Sequence, residues 1–311
     1  MRIKKPGMAV CMAAGLLALT ATAFPEAATD QGEGQAIVTI LPQNNDKNTS
    51  IKIPQQDLQL KVNGKKSSIT SWAPLQGSNR NLELVILIDD CARDSLVHQF
   101  GELTLFMQHL PANVKLALGY MTFGRADLVG PLSTDHTQIA SKLRIPKGGG
   151  TTSSPYSCLS DLAKHWPSEN RSAQREAVLI TDGEGSINPE NPYFKVAIAD
   201  SVRTGLVVHS ICWAGWGRGS RSTYGTLTGG LMLMATQMTG GGYCCEGNGE
   251  PVSLGPCLDG IAWRLQNQYR LSFHSALKSK PEIQRMDLKL DHPAGKVYAP
   301  QQVYVAPASK E

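Results

Sequence analysis

Residues 82–90 read Leu-Glu-Leu-Val-Ile-Leu-Ile-Asp-Asp, and the order of elements on either side follows from how this run folds. Its apolar residues barely alternate with polar ones, so a strand made of them has no solvent face. Strands of that kind lie inside parallel sheets, covered on both sides. Downstream the period changes. Leu96, Phe100, Leu103, Met107 and Leu110 recur every three or four residues, which predicts a helix with Ser95 as its N-cap. A second buried strand is expected at 114–123, with further strands at 177–181, 206–212 and 242–245. Helical patterns near 135–143, 157–166, 193–203, 230–239 and 256–268 separate them. This alternation predicts an α/β fold over 81–268: a doubly wound, mostly parallel sheet with helices on both faces.

Both flanks have a different pattern. Residues 35–41 suit a strand, and Leu58, Leu60 and Val62 alternate with polar residues up to Asn63-Gly64. Both residues of that pair tolerate positive φ, so a hairpin turn is expected there, with a return strand reaching Trp72. Beyond 268, residues 269–274, 283–290 and 297–305 read as strands. Neither flank could bury enough surface alone. The 24–80 and 269–311 segments are therefore expected to join in one small accessory β subdomain.

The first 23 residues stand apart from the rest. Arg2, Lys4 and Lys5 precede an apolar run from Met8 to Ala18, and Ala21-Thr22-Ala23 supplies the small residues of a cleavage site. Together they predict a signal peptide, with the mature chain beginning at Phe24 or, alternatively, after Ala28. The run is too short for a membrane span, so none is expected after cleavage. Removal of the leader leaves 27 basic against 26 acidic side chains, and nothing in that balance suggests a nucleic-acid partner. With 41% hydrophobic residues the chain can build a core, which excludes a disordered protein. Six cysteines follow the leader: Cys91, Cys158, Cys212, Cys244, Cys245 and Cys257. An even number in an exported chain favours disulfides, and no C-x-x-C spacing supports zinc or a redox motif. A secreted or periplasmic location follows from these features.

Ligands of open α/β sheets meet the loops beyond the carboxyl ends of the strands. Three such loops carry Asp89-Asp90, Gly148-Gly149-Gly150-Thr151-Thr152 and Thr181-Asp182-Gly183. Together they offer hard oxygen donors of the kind magnesium takes. The arrangement resembles the von Willebrand factor type A (VWA) family. That family's metal-ion-dependent adhesion site combines an Asp-x-Ser-x-Ser loop, a threonine after a glycine pair, and an aspartate followed by glycine. Asp89, Thr151 and Asp182 fall on the aspartate, threonine and last aspartate, while Cys91 and Arg93 occupy the two serine positions. The tail 267–273, Asn-Gln-Tyr-Arg-Leu-Ser-Phe, with Ala299-Pro300 beyond it, looks like the exported bacterial VWFA-related subgroup. The resemblance spans about 36–307. It implies adhesion-type recognition in which a partner's carboxylate completes the metal's coordination. With both serines lost the site is degenerate: magnesium is expected no tighter than the millimolar range, and no other cofactor is expected.

Other readings of these residues were tested against their chemistry. Asp89 and Asp182 could serve as acids at helix N-termini, where the helix dipole favours them. A haloacid-dehalogenase-type phosphatase needs an acid two positions after its aspartate, and Cys91 stands there. A cysteine hydrolase would need Cys91 or Cys158 as a thiolate beside a histidine such as His98 or His165. The chain is read as a binding protein and not an enzyme; the alternative is a metal-free structural or assembly module of the bacterial envelope. Cys91 and Cys158 follow loops that the fold would place side by side, which predicts a disulfide between them. The partner is expected to be a protein or other envelope ligand, with an acidic group favoured. It would meet Arg93 and the long Gly- and Ser-rich connection containing Trp213, Trp216, Arg218, Arg221 and Tyr224.

Overall fold

The 82–90 run forms the central strand of a sheet in a computed structural model that describes residues 30–47, 51–77, 80–148, 154–181, 192–214, 223–248, 252–277 and 280–308. The expected leader lies outside the described residues. The N-terminal flank supplies β1 (Asp30–Pro42), β2 (Leu58–Val62), β3 (Lys65–Lys66) and β4 (Ser68–Pro74). The centre holds β5 (Leu82–Asp89), β6 (Lys115–Thr122), β7 (Arg125–Leu128), β8 (Gln174–Thr181), β9 (Val207–Ala214) and β10 (Tyr243–Asn248). The C-terminal flank adds β11 (Gln268–Leu277), β12 (Glu282–Leu290), β13 (Gly295–Tyr298) and β14 (Gln302–Pro307). The helices are α1 (Phe100–Gln108), α2 (His136–Ala140), α3 (Pro155–Lys164), α4 (Pro192–Thr204), α5 (Thr223–Thr239) and α6 (Gly255–Gln266).

The central strands make one six-stranded sheet in the order β7-β6-β5-β8-β9-β10. Five are parallel, and β7 closes one edge as the antiparallel arm of a hairpin with β6. Every residue of β5 is buried, as expected for a strand covered on both faces. One face sets Leu84, Ile86 and Ile88 against Leu103 and Met107 of α1, Ile139 of α2 and Ile261 of α6. The other sets Val85 and Leu87 against Leu159 of α3, Ile198 of α4 and Met232 of α5. The sequential order reverses between β5 and β8, so the loops leaving these neighbours part to opposite sides of the sheet.

The flanking strands pair in a second sheet, wholly antiparallel, in the order β3-β2-β12-β14-β1-β11-β4 with β13 on β1. Its core includes Val38, Ile40, Leu271, Phe273 and Val305. A buried polar cluster ties this sheet to the amino ends of β8 and β9. The Gly242 N–H donates to His209 Nδ1 (2.9 Å), so Nε2 carries the ring proton and faces Glu176 Oε2 at 2.6 Å. Gln268, which begins β11, donates to Glu176 Oε1 (2.8 Å) and accepts from Gln174 Nε2 (2.6 Å). All four side chains are buried, and the bonds among them offset what burying them costs.

Three local expectations need correcting. Ser95 does not cap a long helix: Asp94–Gln99 is a 3-10 segment entered from Arg93 with no side-chain cap, and α1 begins only at Phe100. Strand β6 ends at Thr122 and turns at once into β7, a hairpin that the sequence did not suggest. The segment at 297–305 divides at Ala299-Pro300 into β13 and β14, since proline has no N–H to continue a ladder.

Candidate functional site

The carboxyl ends of β5 and β8 meet where the strand order reverses. Asp89, the last residue of β5, is fully buried. Thr181 Oγ1, at the end of β8, donates to Asp89 Oδ2 (2.6 Å), and the Cys91 N–H donates to Oδ1 (2.9 Å). Both carboxylate oxygens thus accept from protein donors, and the side chain fastens one strand to its neighbour.

Asp90 is equally buried but is held by cationic groups. Arg144 grips it with both terminal guanidinium nitrogens, Nη1 to Oδ1 at 2.5 Å and Nη2 to Oδ2 at 3.1 Å. The Lys147 N–H donates to Oδ1 (3.1 Å), Thr122 Oγ1 to Oδ2 (3.3 Å), and Lys147 Nζ lies 3.6 Å away. Burial pushes the Asp90 carboxyl up, but the Arg144 side chain, the Lys147 backbone bond and both positive charges outweigh it. The net result holds the carboxyl below the usual range. Arg144 is positioned from a second side. Its guanidinium stacks on Tyr120, 3.7 Å from the ring centroid, and the Tyr120 hydroxyl accepts from the Arg144 N–H (2.7 Å) and donates to its carbonyl (3.0 Å). The Asp90 bond is foremost in raising the Arg144 pKa. The Arg144 side chain as a whole is 34% exposed.

Sequence reasoning missed Arg144, Tyr120 and Thr122. The pair Asp90–Arg144 spans 54 residues. The available signals were a basic residue set inside the apolar stretch Leu143-Arg144-Ile145-Pro146 and, 54 residues earlier, a second strand-end acid.

The expected site residues divide into three groups. Asp89 and Arg93 lie on the carboxyl-end face, Asp89 buried and Arg93 half-buried ahead of the 3-10 segment. Thr151, Asp182, Trp216, Arg218 and Arg221 lie outside the described residues, and Tyr224 falls in α5. Trp213 is a correction: it is 3% exposed and belongs to the core with Ile211 and Leu254, so it offers no surface to a partner. Residues of β9 alternate between two covered faces, and Trp213 shares with Ile211 the face that packs on Leu254. The Cys91–Cys158 bridge is a second correction. Cys158 is a buried free thiol on the inward side of α3, among Tyr156, Leu159 and Leu162, and is not bonded to Cys91. The disulfide among the described residues is Cys244–Cys257, which joins β10 to α6.

Magnesium does not fit the donors that are described. Asp89 already accepts from Thr181 and Cys91, Asp90 is occupied by Arg144, and Cys91 and Arg93 supply no hard oxygen. A guanidinium this close also repels a dication.

No protein-family model matches this chain, and no curated protein matches it. The chain does match solved structures. It is similar to BatB from Bacteroides thetaiotaomicron at 16% identity, over 59% of this chain and 97% of that one, with a TM-score of 0.44. The VWA domain of SpRpn10 matches at 13% identity over 58% and 94% of the two chains, TM-score 0.38. The open form of the pilus adhesin SpaC from Lactobacillus rhamnosus GG matches at 10% identity and TM-score 0.44, over 85% of this chain and 50% of SpaC.

Proposed function

We propose that this VWA-like chain is an exported binding protein that holds an acidic partner on the carboxyl-end face of its parallel sheet, with a resident guanidinium in place of a metal. The observation that carries this reading is the Asp90–Arg144 pair. A buried carboxylate fixes a partly exposed cation at the point where open α/β sheets meet their ligands. In the same reading the central sheet is doubly wound, and the antiparallel sheet is an accessory subdomain. The Cys244–Cys257 disulfide supports an oxidising compartment, in line with the leader at 1–23. No helix among the described residues is long and apolar enough to cross a membrane.

For Cys158, one of the two candidate nucleophiles, the state of the thiol supports binding without catalysis. Burial pushes the Cys158 thiol up to about 12, so it stays protonated at neutral pH. His165, in turn, is occupied by Asp161 at the molecular surface.

The test is a pull-down from envelope extract with and without chelator. It compares the unaltered protein, a Lys147→Glu/Trp216→Ala/Arg218→Ala variant, and Leu105→Ser on the distant, exposed side of α1. The unaltered protein and Leu105→Ser should capture the same partner in both conditions, and the triple variant should lose it. Capture that needs a divalent cation, or that survives the triple substitution, would sink the proposal.

A further inference from the structure

The amino ends of β8 and β9 face the antiparallel sheet across a cleft of about 230 Å³. Its central side is formed by the 171–174 stretch that leads into β8 and by the last turn of α4. Its other side is formed by Gln35 of β1, Arg270 of β11, and Gln302 and Tyr304 of β14. Arg171 and Arg203 stand on the central side, so three arginines from three separate elements reach one cleft. Among the described residues no aspartate or glutamate lines it.

Guanidinium groups gathered in this way repel one another unless a negative group stands between them. The protein supplies only part of that charge. Arg203, in the last turn of α4 where the helix dipole favours a cation, gives Nη1 to Asp200 Oδ1 (3.2 Å). Arg270 gives Nη2 to the Ser172 carbonyl (3.3 Å), which holds it against the stretch that carries Arg171. Arg171 makes no side-chain hydrogen bond or ion pair among the described residues, and the side chains of Gln35, Gln302 and Tyr304 make none either. Burial lowers the Arg175 pKa, and against Glu83 the charge of Arg171 lowers it further. Two acids lie behind the lining: Asp200, which Lys164 also holds (3.0 Å), and Glu176, which His209, Gln174 and Gln268 bond. Set against Lys164 and the three arginines, they leave two positive charges in excess. Arg175 with the exposed Glu33 and Glu169, the other charged residues within two positions of the lining, keeps the balance positive.

We infer that this cleft binds a phosphate monoester, its phosphoryl group among Arg171, Arg203 and Arg270 and its hydroxyl-bearing remainder against Gln35, Gln302 and Tyr304. One guanidinium fork satisfies the two oxygens of a carboxylate. Three that converge from separate elements suit a tetrahedral group with three terminal oxygens and nearly two negative charges. Ser172 and Asp200 already position two of the three forks, so binding has less order to impose. The cleft lies at the opposite end of the parallel strands from Asp89 and Asp90, and its use is independent of the binding face proposed above.

The phosphoryl probe is offered at neutral pH in two forms: glycerol 3-phosphate in solution, followed by calorimetry, and phosphatidic acid vesicles, followed by co-sedimentation. Saturable binding of the first alone identifies a soluble ester as the ligand, and vesicle binding identifies a lipid headgroup. Glycerol and succinate serve as comparison probes and should not bind. The bound probe should raise the melting midpoint. Arg171→Gln and Arg270→Gln should each weaken it by about tenfold or more, the loss expected for a charge-assisted contact. Arg125→Gln, which removes a cation from β7 outside the cleft, should leave affinity unchanged. Because Arg171 bonds to nothing described in the protein, Arg171→Gln should keep the midpoint of the ligand-free protein, so its effect on binding reports on the site. A lower ligand-free midpoint for that variant would make Arg171 structural and overturn the inference. So would unchanged affinity in it, an equal loss in Arg125→Gln, succinate binding as tight as the phosphate ester, or no saturable binding of either phosphoryl probe.

Discussion

At the scale of single residues, Asp90 couples stability to the candidate site. Its folded carboxyl ionises more readily than an unfolded one, so the stabilisation it contributes is complete above the unfolded value, about pH 4. That contribution is lost as pH falls through the lower folded value. Urea midpoints should therefore drop in that acid window for the unaltered protein, and an Asp90→Asn/Arg144→Met variant should show less of the drop. At pH 7, Arg144→Met alone leaves a buried carboxylate with only Lys147 and Thr122 beside it. A loss of about 2–4 kcal/mol is expected, smaller than for a fully dry pair because Arg144 is partly exposed. The double variant should recover part of it; equal losses for single and double variants would show that Asp90 tolerates its charge without the guanidinium. Calorimetry should find no saturable magnesium site tighter than about −4 kcal/mol, the millimolar range. A micromolar site abolished by Asp182→Ala would restore a metal-assisted mechanism.

At the scale of elements, α6 is held from both sides of its first turn. Glu102 of α1 accepts from the Leu254 and Gly255 N–H groups (2.6 and 2.8 Å) and from Ser253 Oγ (2.7 Å), placing a carboxylate on the helix N-terminus. One turn on, Cys257 is bonded to Cys244 of β10, 13 residues earlier. Cys244→Ala/Cys257→Ala should lower stability by about 2–3 kcal/mol, the value for a loop of that length, and Glu102→Ala by about 1–2 kcal/mol. Urea denaturation reads both, and a change below about 0.5 kcal/mol for the cysteine pair would mean that β10 and α6 are held by packing alone. The two hairpins show how unevenly elements are written in sequence. Asn63-Gly64 announces its turn because both residues favour positive φ. Phe123-Gly124 adopts the same backbone and is silent, since a phenylalanine there matches no turn preference.

At the scale of the whole molecule, β1 holds the antiparallel sheet together. It pairs with β11 over ten residues and with β13 and β14 as well, so it lies between the β12–β14 side and the β11–β4 side. Deleting residues 1–42 should split this sheet, uncover Leu271, Phe273 and Val305, and replace a single calorimetric transition with a broad one or with insoluble protein. A sharp transition at the original midpoint would show that the remaining strands close without β1. The Glu176–His209–Gln174–Gln268 cluster predicts that damage spreads to the central sheet, because Gln268 of β11 completes the bonding of a carboxylate buried between β8 and β9.

What the sequence by itself determined is local in origin. The unbroken apolar run at 82–88 required a strand covered on both faces, the three- and four-residue spacing required helices, and Asn63-Gly64 required a turn. Each follows from the covalent geometry of neighbouring residues. Asp89 at the carboxyl end of β5 was legible for the same reason, because strand direction decides which end a residue occupies. Tertiary structure alone decided which cysteines pair, that Trp213 turns into the core, and that Asp90 is neutralised by Arg144. These outcomes depend on residues brought together across tens of positions. The energy of such a contact leaves no periodic trace at either partner, and a buried acid reads like an exposed one until the cation opposite it is known.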